Sequence, residues 1–92
     1  MIQSFGDRNT ERLFHSERVR QFDAFAQPAR RKLTMLHAAT GLDELRSPPG
    51  NRLEALRGDR RGQHSIRIND QWRIVFVWRE DGPHNVSIVD YH

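Results

Sequence analysis

The hydrophobic pattern of this chain changes period once, after Gly50. Before that point apolar residues recur at helical spacing; beyond it they alternate. The longest alternation places Trp72, Ile74, Phe76 and Trp78 on one face of an extended segment, with Arg73, Val75, Val77 and Arg79 on the other. Ser65-Ile66-Arg67-Ile68 precedes it in the same phase logic, both isoleucines on one side and Arg67 on the other. After it, Val86, Ile88 and Asp90 alternate with Ser87, Val89 and Tyr91. Residues 52–56 read as a first strand. Turn-forming residues lie between the runs: 58–62 (Gly-Asp-Arg-Arg-Gly), 69–71 (Asn-Asp-Gln) and 81–83 (Asp-Gly-Pro). Strands joined so closely pair as an antiparallel meander, whose apolar face needs cover. The helices upstream supply it, so the expected class is α+β, with N-terminal helices packed on a twisted antiparallel sheet.

The upstream half is less sharply patterned. Ile2 to Phe5 reads as a short edge strand, with Asp7 or Asn9 as the N-cap of a helix over 10–16. Val19, Phe22 and Phe25 keep helical spacing, so that helix can continue, with its aromatic residues as core anchors. The best helix spans 28–40. Pro28 suits its first turn, Ala29, Leu33, Leu36 and Thr40 form its buried stripe, and Gly41 is placed to end it in a left-handed conformation. His37 reads as a helix-end histidine set favourably against the dipole. Leu42 and Leu45 suggest a further helical turn, and 46–50 (Arg-Ser-Pro-Pro-Gly) is an ordered loop.

Ninety-two residues allow one domain, 1–92, with one modest core. Without cysteine there is no disulfide framework and no thiolate metal site, and the five histidines show no metal-ligand spacing. No cofactor is expected. There is no glycine-rich phosphate loop and no nucleophile elbow. Neither a signal peptide pattern nor a membrane-spanning apolar run is present, which points to the cytoplasm. The net charge is +3, yet fourteen of the fifteen basic residues are arginine, Lys32 being the exception. A GC-rich genome accounts for such an excess as readily as function does, but not for where the arginines sit. Arginine's rigid fork of donors matches phosphate and stacks on bases.

If the last strand pairs beside the Trp72 strand, Arg73 approaches the chain's closing Asp90-Tyr91-His92. Arg57, Arg60 and Arg61 lie in or near the preceding hairpin turn. The set suits phosphodiester cleavage without a metal, which needs a base for the 2′-hydroxyl, an acid for the leaving oxygen and cations for the phosphate. His92 titrates near neutrality and serves as base or acid; Tyr91 can orient a proton or stack on a base; Arg73 and Arg57 clamp the phosphate; Asp90 orients its neighbours. The same residues are equally consistent with a solvated chain end. Arginines at 67, 73 and 79 are equally consistent with a solubilised sheet.

Residues 49–62 (PGNRLEALRGDRRG), 65–74 (SIRINDQWRI) and the terminal Asp90-Tyr91-His92, together with Met1-Ile2-Gln3-Ser4-Phe5 and the overall length, resemble the HigB toxins of the RelE superfamily of type II toxin–antitoxin systems. The resemblance covers nearly the whole chain. It implies a compact, microbial-ribonuclease-like fold and a ribosome-dependent mRNA interferase: a metal-independent endoribonuclease in which the 2′-hydroxyl attacks the adjacent phosphate. Carried over, Arg73 stabilises the transition state, Tyr91 and His92 position or exchange protons, and Asp90 supports them. Arg57 stands where the family usually carries lysine and keeps a basic group for phosphate contact. Glu54 stands where some members carry histidine, a departure that removes one acid–base candidate. Arg52, Arg60, Arg61 and Arg67 are the candidates for RNA contact. The implied partners are the 70S ribosome with its mRNA and a HigA-type helix-turn-helix antitoxin, through which operator DNA is mainly contacted. The alternative is a non-catalytic RNA-binding or regulatory partner of that antitoxin.

Overall fold

The computed structural model describes residues 1–90. Helix α1 (Arg8–Phe14) and helix α2 (Ala26–Ala38) precede four strands: β1 (Glu54–Ala55), β2 (His64–Arg67), β3 (Trp72–Arg79) and β4 (Gly82–Asp90). Short 3-10 helices at Arg20–Phe25, Leu42–Arg46, Pro49–Asn51 and Gly58–Arg60 fill the connections. The strands form one antiparallel sheet in the order β1-β2-β3-β4. The architecture is therefore α+β, compatible with a RelE-like fold. No helix among the described residues is long and apolar enough to cross a membrane.

Each helix end has a local cause, and several differ from the sequence expectation. Asp7 is the N-cap of α1: its carboxylate accepts from the Thr10 backbone N–H at 2.7 Å. The helix does not run on to Phe25. Ser16 adopts φ 66°, which breaks the helical path, and Phe22 and Phe25 are delivered instead by the 3-10 turn. There Phe25 stacks on Trp72 at 4.9 Å and Phe22 meets the same ring edge-on at 5.8 Å, locking the helical half to the start of β3. Helix α2 begins at Ala26, two residues ahead of Pro28, and ends at Ala38. Ala29, Leu33 and Leu36 are fully buried, as the stripe predicts. Thr40 is exposed and lies past the helix, and Gly41 is extended (φ −152°) rather than left-handed. The reason is Ala39, which turns to extended backbone and is itself buried, while Glu44 binds the Thr40 hydroxyl and backbone N–H and draws the chain into the next turn. There Leu45 is fully buried.

Strand β1 is shorter than the expected 52–56, because Arg52 adopts a left-handed conformation (φ 46°, ψ 54°) and cannot continue an extended run. The last turn is also displaced. Gly82 and Pro83 belong to β4, and the chain reverses at residues 80 and 81. Proline is admissible there because β4 is the outermost strand and needs no donor at that position. Gly82 takes φ 122°, and a side chain on it would meet the Met1 carbonyl at 2.5 Å.

The edge of β4 is covered rather than left open. The Ile2–Phe5 segment runs beside it, parallel, with a single bridge from Phe5 to Val86 in place of a full strand. The bonds are Gln3 N–H to Pro83 O (2.9 Å), Val86 N–H to Ser4 O (3.1 Å) and Gly6 N–H to Val86 O (2.8 Å). His37 Nδ1 accepts from the Ile2 backbone N–H at 3.1 Å, and its ring packs against Phe14. His37 thus stands in the last turn of α2, as expected, and also holds the N-terminal segment. Farther along the edge, the fully buried Thr10 hydroxyl accepts from Ile88 N–H at 2.9 Å and donates to Asp7. Thr10→Val keeps the side-chain shape and strands that buried amide. Its expected cost is about 1–3 kcal/mol, with Thr10→Ser losing far less. A fall in the urea midpoint at unchanged slope is the measurement.

One core joins both halves. It includes Leu13 of α1, Phe22 and Phe25, Leu33 and Leu36 of α2, Leu45, and Ile66, Ile74, Phe76, Val86 and Ile88 of the sheet. Its sheet side is the Ile74–Phe76 face predicted by alternation, which leaves the opposite face of the sheet to carry chemistry.

Candidate active site

The strand register determines which side chains share that opposite face. Glu54 pairs with Ser65, Ser65 with Val75, and Val75 with Ser87, forming one row across all four strands. The next row is Arg67, Arg73 and Val89. Directly paired residues in antiparallel strands present their side chains on the same side. The face therefore holds a carboxylate, a serine hydroxyl and two arginines within a few residues of one another.

Arg73 is anchored at its centre. Its Nε donates to the Ser65 hydroxyl at 2.8 Å and its Nη2 to the Arg52 carbonyl at 2.7 Å. Ser65 is fully buried, so its oxygen is a fixed acceptor. The left-handed turn at Arg52, an uncommon conformation for a residue with a side chain, aims that carbonyl at the guanidinium. The residue before it holds the turn in place. Asn51 is fully buried, donates through Nδ2 to the carbonyls of Leu45 (3.1 Å) and Ser47 (3.3 Å), and accepts from the Lys32 ammonium. A guanidinium bonded to the Ser65 hydroxyl and carbonyl and to the Arg52 carbonyl presents its plane in a defined orientation, which suits bidentate phosphate recognition.

A second arginine flanks Arg73. Arg67 sits directly across from it on β2 and forms an ion pair with Asp70. Lys32 is shifted down from the usual lysine range, first by partial burial and then by repulsion from Arg31 and Arg67. Arg57 follows β1 and, with Glu54, Ala55 and Leu56, lines a concavity of about 380 Å³.

The other candidate positions separate. The loop bearing Arg60 and Arg61 leaves the sheet beyond the Ala55–His64 pair, at the end away from the Arg67–Arg73 row. Both arginines are exposed, and Arg60 bonds Gln63 at 3.3 Å. Asp90, the last residue of β4, pairs with Trp72 and so alternates to the side opposite Arg73. Gln71 Nε2 donates to its carboxylate at 3.0 Å. Tyr91 and His92 lie outside the described residues. Among the described residues no group of three or more histidine, aspartate or glutamate side chains is placed to hold a metal ion.

Two larger concavities, of about 410 and 620 Å³, surround α1, away from this face. Arg12, paired with Glu17, lines both, and Arg18, paired with Asp23, lines the smaller, with Arg20 and Arg8 also at their walls. The volume lies there, while the half-buried, oriented arginine lies on the sheet.

Sequence reasoning did not single out Ser65, Gln71 or the Arg52 carbonyl. For Ser65 a signal existed: in Ser65-Ile66-Arg67-Ile68 it shares the phase of Arg67, opposite the isoleucines. The Arg52 carbonyl left no such trace, because its place depends on a backbone turn.

Comparison with known proteins identifies the family. The family model described as the RelE-like toxin of type II toxin-antitoxin system HigB matches residues 3–92. The chain is 52% identical over 48 residues to Toxin HigB-1 of Vibrio cholerae serotype O1 (strain ATCC 39315 / El Tor Inaba N16961), a match covering 52% of this chain and 50% of that protein. It is 38% identical over 58 residues to an uncharacterized protein of Haemophilus influenzae (strain ATCC 51907 / DSM 11121 / KW20 / Rd), covering 63% of this chain and 57% of that one. The chain thus spans about half the length of the curated relatives it matches. With the family match extending from the N-terminal segment to the last residue, the chain belongs to the HigB-like toxins, RelE-like toxins of type II toxin–antitoxin systems.

Proposed function

We propose that residues 1–92 act as one toxin domain that cuts mRNA on the translating ribosome, without a metal, by attack of the 2′-hydroxyl on the adjacent phosphate. The observation that carries this reading is the Arg73 guanidinium, oriented by the Ser65 hydroxyl and the Arg52 carbonyl on the strand face away from the core. A donor fixed before the reaction stabilises charge that develops on the phosphate without reorganising at that moment. Tyr91 and His92, which continue the chain from the end of β4, supply proton positioning and exchange. Asp90 supports them, and Arg57 contacts phosphate from the concavity beside β1. Arg52 and Arg67 meet RNA near the site. Arg60 and Arg61, set apart at the hairpin loop, serve as ribosomal RNA contacts at longer reach. Such contacts make ribosome association salt-dependent.

The partner in this reading is a HigA-type helix-turn-helix antitoxin, which contributes the main contact to operator DNA. The direct test is to induce the protein in growing cells and map mRNA 5′ ends. New ends within translated codons, lost when translation is blocked, are the expected result. Ribosome association with no new ends would favour the non-catalytic, regulatory reading.

A further inference from the structure

Lysine occurs once in this chain, at position 32, and its ammonium is not turned out to solvent. Lys32 is half-buried on α2 and donates to Oδ1 of Asn51. Partial burial and the neighbouring Arg31 and Arg67 all disfavour a positive charge there. A lysine serving only solubility would extend its flexible stem into water. Asn51, its acceptor, is the anchor of a loop: residues 46–50 and Arg52 are exposed, whereas Asn51 is fully buried. Its Nδ2 donates to Met35 Sδ at 3.1 Å as well as to the Leu45 and Ser47 carbonyls. Lys32 and Met35 lie three apart on α2, so one face of the helix grips both ends of the amide.

An amide has nearly the same shape either way round, so its neighbours decide how it points. Two carbonyls call for the NH₂ on one side, and the ammonium calls for the oxygen on the other. Reversal would set NH₂ against the ammonium and oxygen against two carbonyls. Lys32 thus helps to select the one orientation in which Asn51 holds the loop. The next residue is Arg52, whose left-handed turn aims its carbonyl at Arg73 Nη2, 2.7 Å away. We infer that Lys32 is a positioning residue for Arg73, an inference whose effect on rate rests on the mRNA-cleaving reading above. By fixing the Asn51 amide it keeps the Arg52 carbonyl on the guanidinium, and it touches no reacting atom itself.

The test compares wild type with Lys32→Met, alone and combined with Arg73→Lys. Two readouts are used: NMR of the arginine Nε–H groups, and single-turnover cleavage of mRNA on purified 70S ribosomes with binding measured in parallel. Arg73→Lys removes the Arg73 Nε–H signal and so assigns it. In Lys32→Met that signal is expected to shift and to exchange faster with water. Cleavage should slow by about 10–100-fold, the scale expected of a misplaced catalytic group, with ribosome binding unchanged. In the Arg73→Lys background the same change should leave the residual rate within about twofold, because no guanidinium remains to be positioned. A purely structural role would slow both backgrounds equally, and that outcome overturns the inference. So does an Arg73 Nε–H signal unmoved in Lys32→Met; weakened ribosome binding beside it would make Lys32 an RNA contact instead. If Lys32→Met does not fold, Lys32→Gln, which removes the ammonium but keeps a shorter polar tip, takes its place under the same criteria. A wild type that binds ribosomes and cuts nothing overturns the proposed activity, and the Nε–H comparison then decides the positioning role by itself.

Discussion

Arg73→Lys is expected to abolish toxicity while leaving the protein folded. Lysine keeps the positive charge but loses the planar fork, so it can no longer satisfy Ser65 and Arg52 while still facing a phosphate. Removing one preorganised donor to developing negative charge costs about 10²–10³-fold in rate, and that is the predicted loss in single-turnover cleavage. Arg73→Ala should lose as much activity and, in addition, some stability. It takes the donor from the fully buried Ser65 hydroxyl, a loss of about 1–2 kcal/mol. Comparing the two variants separates chemistry from folding: equal loss of cleavage with unequal melting supports the assigned role. An Arg73→Lys protein that still cleaves at the wild-type rate would remove Arg73 from the mechanism.

The largest effect on stability is expected at Asn51. Asn51→Ala leaves the Leu45 and Ser47 carbonyls without their side-chain donor, and the Lys32 ammonium without its acceptor. Unmet buried polar groups cost about 1–3 kcal/mol each, so a loss of about 3 kcal/mol is predicted. At this chain length each kcal/mol lowers the melting temperature by roughly 4–8 °C. Asn51→Asp should fare little better, because an oxygen replaces the donating Nδ2 against two carbonyls. The defect should reach the site as well. Asn51 precedes Arg52, whose left-handed turn aims a carbonyl at Arg73, so a folded fraction of either variant should cleave more slowly than wild type. Melting within a few degrees of wild type would show that the Asn51 bonds do not hold this loop.

The readable parts of the fold were those governed by local repetition. The pleat alone sends Trp72, Ile74 and Phe76 to one side and Arg73 to the other, and the structure keeps that division, with Ile74 and Phe76 fully buried. The Asp7 cap was legible for the same reason, since a carboxylate three residues before a helical amide needs no distant partner. Gly41 misled because glycine's freedom says only that a left-handed turn is allowed. Buried Ala39 and the Glu44–Thr40 contact decided that it would be extended. Arg52 is the converse case, a left-handed residue without glycine, held there by Asn51 below it and Arg73 above.

The site divides along the same line. By itself the sequence determined the candidates: an arginine out of phase with the core, a basic hairpin and the closing Asp-Tyr-His. Those follow from residue type and alternation, which act over one or two residues. Tertiary structure alone decided who meets whom. It placed Ser65 and the Arg52 carbonyl, 8 and 21 residues away in sequence, on the guanidinium of Arg73, and carried Arg60 and Arg61 to the far end of the hairpin. Hydrogen bonds of that span depend on strand register and one backbone turn, quantities set by the packing of the whole core and not by any short stretch of it.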